Sequence, residues 1–138
     1  MISIDDLEKA TNDFFTKFCR EDFKKPKWSR KWCFNGELPY NQYKGCYAHL
    51  NGNEVVYIGL AISNSFDGSG IGSRISKYWK KSQNYSAINQ VYEPTIKDVD
   101  AIITLPFEIN NFYLAAALEI YLIQTLKPTK NRIHSNNN

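Results

Sequence analysis

Apolar positions recur at helical spacing from the start of the chain. Over residues 3–18, Ile4, Leu7, Thr11, Phe14, Phe15 and Phe18 follow the helical period. Ser3 stands where a helix cap is expected. Asp5, Asp6 and Glu8 lie near the positive end of the helix dipole. This predicts an amphipathic helix. Over 24–43 the period is lost, and basic and aromatic residues mix with Pro26 and Pro39, so an irregular stretch is predicted.

The pattern then changes to that of strands. Residues 45–50 have strand composition, Asn51-Gly52-Asn53 is a turn, and 54–62 carries Val55, Val56, Tyr57 and Ile58. Asn-Gly supplies the positive φ angles of a tight hairpin, so the two segments read as a β-hairpin. A polar, glycine-bearing loop is expected over 63–70, then a helix with a basic face over 71–81. Residues 99–105 read as a third strand ended by Pro106, and 111–127 as a long helix stopped by Pro128. The fold class expected is α/β (α+β), a small, mostly antiparallel three-stranded sheet flanked by helices. One domain is expected: residues 1–44 as a helix and extension packed on a core of 45–131, with a flexible tail over 132–138.

Charge adds a candidate partner. The net charge of the 138 residues is only +3, but the cations cluster. Lys24, Lys25, Lys27, Arg30 and Lys31 form one group, and Arg74, Lys77, Lys80 and Lys81 another. In the predicted helix Arg74, Lys77 and Lys81 share a side. Such a stripe holds a nucleic-acid backbone without reading sequence, or is simply a solvated face. Lys77, Lys80, Lys81, Lys27 and Arg30 are the candidate backbone contacts. Trp28 and Trp32 read as core anchors ahead of base-stacking platforms.

Several classes are disfavoured. Cys19, Cys33 and Cys46 are odd in number and lack metal-ligand spacing, so buried reduced thiols in a cytoplasmic protein are expected. The acidic N-terminus does not resemble a signal peptide, and no apolar run reaches the roughly 18 residues that span a bilayer. Gly68, Gly70 and Gly72 do not form a phosphate-binding loop, since Ser73 breaks the dinucleotide pattern and no GK[ST] follows.

One residue stands out on the last predicted helix. On a wheel, Phe112, Ala115, Ala116, Leu122, Ile123 and Leu126 all fall within about 60° of Glu119. Gln124, Ala117 and Tyr121 lie opposite. A carboxylate at the centre of an apolar face is paired in an ion bridge, or points into a cleft to hold a cation. Mg²⁺ uses one or two carboxylates and keeps its waters.

Gly45-Cys46-Tyr47 and Tyr57-Ile58-Gly59, on the two strands of the hairpin, resemble the paired signature of the GIY-YIG nucleases. Arg74 on the next helix, Glu119 in Ala-Leu-Glu-Ile-Tyr, and Asn131 closing Leu-Lys-Pro-Thr-Lys-Asn follow in the order of that family's motifs. The resemblance covers about 45–131. Cys46 stands where the family usually has isoleucine, and Tyr78 stands one turn after the arginine, where histidine or tyrosine occurs.

The resemblance implies a metal-dependent endonuclease that hydrolyses DNA phosphodiester bonds. Glu119 would hold one Mg²⁺ or Mn²⁺. Arg74 would bind the phosphoryl oxygens in its planar fork, and Tyr47 would activate water. Tyr57 and Tyr78 would position water and phosphate, or merely pack, and Asn131 would orient the site, or serve as a turn residue. Arg74 is also the alternative salt-bridge partner of Glu119. A restriction or host-defence role is the expectation for a chain of this length, with a homodimer on DNA for double-strand cutting. The competing expectation is a catalytically silent nucleic-acid-binding module of the same fold.

Overall fold

The computed structural model describes residues 1–62 and 70–131. The predicted loop over 63–69 and the predicted tail over 132–138 lie outside the described residues. Helix α1 spans Ile4–Phe18 and opens with a capping box, in which the Ser3 hydroxyl accepts from the Asp6 amide while the Ser3 amide donates to the Asp6 carboxylate. Leu7, Ala10, Thr11, Phe14 and Phe15 are its buried face, while Phe18 stays exposed.

Strands β1 (Lys44–Asn51) and β2 (Glu54–Ala61) form the predicted hairpin. Strand β5 (Ala101–Phe107) pairs with the other side of β1, giving an antiparallel sheet in the order β2–β1–β5. β5 runs two residues beyond the predicted end. Pro106 does not terminate it but sits in register opposite Gly45. Proline lacks the ladder donor, which an edge strand tolerates.

The stretch 71–81 departs most from expectation. Helix α2 covers only Ile71–Ile75, a 3-10 turn follows over Ser76–Tyr78, and Trp79–Lys81 is strand β3, paired with β4 (Tyr92–Pro94). The reason is tertiary. Trp79 packs edge-on against the buried Trp32 with ring centroids 4.8 Å apart, which helical propensity alone does not foresee. Helix α3 spans Leu114–Leu126, starting three residues later than predicted, and ends with Lys127 in the left-handed region.

Both faces of the sheet are covered. Cys46, Ala48 and Leu50 of β1 face a core shared with α1 and α3. Tyr47 belongs to a second core with Trp32, Ile71, Ile75 and Ile102, closed by α2 and the β3–β4 pair. Both sheet edges are also covered, which removes two open templates for aggregation. Along β5, the Ser29 amide donates to the Thr104 carbonyl, and Trp32 exchanges two backbone bonds with Ile102. Along β2, Lys130 donates to Val56 and Asn131 grips Ile58. The 1–44 segment is therefore built into the core. Trp32 is buried in the second core, and Trp28, half-buried, packs against the first with its indole donating to Thr11.

Candidate catalytic site

Alternation along β1 puts Tyr47 and His49 on the same sheet face, away from α1 and α3. Tyr57 of β2 lies opposite His49 in register. Tyr78 arrives from the 3-10 turn above them. The four rings form one cluster. The Tyr47 and Tyr78 hydroxyls are 3.4 Å apart. His49 stacks on Tyr57 at 4.9 Å and meets Tyr78 edge-on at 4.5 Å. The three tyrosines named from the sequence are thus brought together.

Gly59 makes this possible. It faces Tyr47 across the β1–β2 pair, and a Cβ there would overlap the Tyr47 phenol.

Burial sets the protonation states. The Tyr47 phenol is pushed far up by desolvation, with the Tyr78 hydroxyl adding to the effect. Tyr57 is raised by desolvation first and by the charge of a neighbouring Tyr78 second. Tyr47 therefore keeps its proton at neutral pH, the opposite of what a ready-made base requires. His49 is pushed down to about 4, again mainly by desolvation, with the Lys130 charge contributing. It is neutral at pH 7, only 2% exposed, and its Nε2 has no partner among the described residues.

His49 was not singled out as a site residue from the sequence. The signal was available, since it follows Tyr47 by two residues on one strand.

Glu119 is half-buried on α3. The buried stripe of that helix is Ala115, Leu118, Leu122 and Ile123, so its centre falls to one side of Glu119. The carboxylate is off the middle of that face, between Ala115 and Ile123 around the helix. Leu118, fully buried, was not part of the predicted stripe. Glu119 is close enough to Tyr57 and Cys46 to raise both, after the larger effect of their own burial. Among the described residues no group of three or more His, Cys, Asp or Glu side chains is arranged to hold a metal ion. A single hard oxygen donor still suits a cation that keeps its waters.

Arg74 is exposed in the last turn of α2, four residues before Tyr78. Three ion pairs join described residues, all exposed (Lys9–Asp13, Arg20–Asp22 and Lys80–Glu93), and Arg74 is in none of them. It is not the salt-bridge partner of Glu119.

Asn131 is buried, and its side chain pairs with the β2 backbone. The amide oxygen accepts from the Ile58 N–H, and the amide nitrogen donates to the Ile58 carbonyl, both at 2.9 Å. It fixes the strand between Tyr57 and Gly59.

The basic residues do not form the predicted stripe. Arg74 is on α2, Lys77 in the 3-10 turn, and Lys80 and Lys81 on β3. Lys77 lies over the Tyr78 ring at 5.3 Å, and Lys81 over Tyr85 at 4.5 Å. Lys80 is engaged with Glu93. Lys27 and Arg30 are exposed on the segment that flanks β5, whereas Tyr57 belongs to the opposite edge strand.

The cysteines also differ from expectation. All three are free, but Cys33 is exposed and only Cys46 is fully buried. Among the described residues no helix is long and apolar enough to cross a membrane. Comparison of the chain with protein-family models, with curated proteins and with solved structures finds no match.

Proposed function

We propose that this chain is a metal-dependent endonuclease that hydrolyses DNA phosphodiester bonds. The observation that carries the reading is the convergence of Tyr47, Tyr57 and Tyr78 on one sheet face. They come from both strand signatures and the following turn, and the Tyr47 and Tyr78 hydroxyls are 3.4 Å apart. Such a cluster, with Arg74 one turn away and Glu119, on the helix across the sheet, near enough to act on Tyr57 electrostatically, resembles the GIY-YIG arrangement of motifs.

The chemistry follows from these groups. Water adds to phosphorus, the P–O3′ bond breaks, the leaving O3′ takes a proton from solvent, and a 5′-phosphate and a 3′-hydroxyl result. Arg74 binds two phosphoryl oxygens and offsets the charge that grows on them. Tyr57 orients the attacking water. Tyr47 does not act as a phenolate. It takes a proton from water as its own moves to Tyr78 and that of Tyr78 moves to solvent, so no buried charge forms. Asn131 positions Tyr57 through the Ile58 backbone. Glu119 would hold Mg²⁺ or Mn²⁺, which supplies Lewis-acid stabilisation of the phosphate and of the leaving oxygen. A restriction or host-defence role is the biological reading we attach to this activity. Double-strand cutting from one centre per chain calls for two copies on the DNA.

The raised Tyr47 phenol favours a second reading, a silent nucleic-acid-binding module. Supercoiled plasmid incubated with Mg²⁺ and with Mn²⁺ separates the two. Nicking or cutting by the wild type, lost in Glu119→Gln and without metal, supports the enzyme. DNA binding with no strand breakage under either metal leaves the module.

A further inference from the structure

Beside α2 lies a cleft of about 600 Å³, on the same side of the sheet as the tyrosine cluster but lined by other residues. Its volume is in the range of small-molecule sites. The irregular stretch after Trp32 supplies one wall, and α2 with the β3–β4 pair supplies the other.

The aromatic surfaces in this cleft are fixed in advance. Trp79 is held by Trp32 at 4.8 Å and by Tyr92 at 6.5 Å, and Tyr92 is held by Tyr85 at 5.3 Å. Trp79 and Tyr92 remain half-buried. Rigid half-exposed rings stack on a planar ligand at low entropic cost.

The polar groups define its chemistry. Among the described residues no lysine or arginine lines the cleft, and the one ionic group is the Glu37 carboxylate. The Asn41 amide steadies it, donating to Glu37 Oε1 at 3.4 Å and to the Leu38 carbonyl at 2.9 Å. A phosphate would be repelled, whereas a neutral ring with N–H donors would be accepted. The cations stand outside. Ser73 lines the cleft and the next residue is Arg74, with Lys77 beyond. The arrangement places a base inside and its phosphate at the rim.

We infer that the cleft binds one unstacked nucleobase, seated on Trp79 and Tyr92, with its donor edge on Glu37. Guanine offers N1–H and its amino group to a carboxylate, and cytosine offers its amino group. Thymine offers only its N3–H, flanked by two carbonyl oxygens that a carboxylate repels. The inference takes the source of the base from the endonuclease reading, and its chemistry from the cleft alone.

The test titrates deoxyguanosine, deoxycytidine and thymidine, which carry no phosphate, into the full chain and follows the Trp79 indole signal by NMR. Deoxyguanosine and deoxycytidine should shift that signal and bind at least tenfold more tightly than thymidine. Glu37→Gln should remove most of that preference without changing the melting temperature, because Glu37 is exposed. Trp79→Phe, followed through the Tyr92 ring signals, should weaken all three. Equal binding of thymidine, or no shift with any nucleoside, overturns the inference. If plasmid is cut and no nucleoside binds, the cleft inference alone falls. If nucleosides bind and no metal supports cutting, the endonuclease reading alone falls.

Discussion

Gly59 faces Tyr47 across the β1–β2 pair, and the Tyr47 phenol occupies the space that any side chain at 59 would fill. The glycine is thus required by a close approach. Its role is to let a large ring lie flat on the neighbouring strand.

Gly59→Ala should therefore act on Tyr47. The added methyl meets ring carbons on a side chain that is only 5% exposed and has little room to retreat. Overpacking of this kind costs about 2 kcal/mol. A urea titration should show a lower midpoint, and the Tyr47–Tyr78 contact should open. The compensating Gly59→Ala/Tyr47→Leu double variant should recover most of the stability but no activity. Full wild-type stability in Gly59→Ala would show that the ring moves freely.

His49 predicts a pH dependence. Its folded value of about 4 lies below the ordinary imidazole value of 6.5, because burial disfavours the charged ring and Lys130 repels it. Tyr47, Tyr57 and Tyr78 are the other titratable groups packed on it. The unfolded chain then binds a proton that the folded chain refuses between pH 6.5 and about 4. Stability from this residue is complete above 6.5, falls as pH drops through that window, and levels off below it. The loss is at most about 3 kcal/mol. Denaturation curves from pH 7.5 to 4 should show this slope in the wild type and a shallower one in His49→Phe. Identical slopes would mean that the ring takes its proton without penalty.

Local pattern made the hairpin, α1 and the sheet class legible, because each repeats a period over many residues. It failed at 71–81. Arg74, Lys77 and Lys81 have helical spacing, but Trp79 has a partner in Trp32, 47 residues earlier, and the chain leaves the helix to reach it. Such a contact has no local signature. The same holds for Asn131. Its position after Lys-Pro-Thr-Lys was readable, but its grip on Ile58 was not, because that depends on α3 returning the chain to the edge of β2. Glu119 was legible as an anomaly. Its offset from the middle of the buried stripe was not, since a wheel weighs Leu118 by angle and not by what it touches.

Asn131 should be a stability determinant. Its amide satisfies both backbone groups of Ile58 in a buried setting. Asn131→Ala leaves a buried N–H and a buried carbonyl without those partners, a loss of about 2–4 kcal/mol. Asn131→Asp keeps the acceptor but places a carboxylate oxygen against the Ile58 carbonyl, so it should be no better. Thermal unfolding of both variants, with amide exchange at Ile58 as a local readout, tests this. An Ile58 amide that stays protected in Asn131→Ala would assign the edge to other contacts.

Arg74 separates catalysis from structure. It is exposed, and in none of the ion pairs between described residues, so Arg74→Ala should change stability by no more than about 0.5 kcal/mol. Under the endonuclease reading the same change removes the group that meets the phosphoryl oxygens as charge grows on them, and single-turnover cleavage should fall about 100-fold or more. Arg74→Lys keeps the charge but not the planar fork, so it should fall between the two. Lys81→Ala is the control, since Lys81 lies on β3 over Tyr85 and touches none of the clustered hydroxyls. It should weaken binding to DNA at low salt while leaving the single-turnover rate on bound DNA nearly unchanged. A rate equal to the wild type in Arg74→Ala would remove Arg74 from the site. An equal loss in Arg74→Ala and Lys81→Ala, recovered at saturating protein, would make both simple backbone contacts.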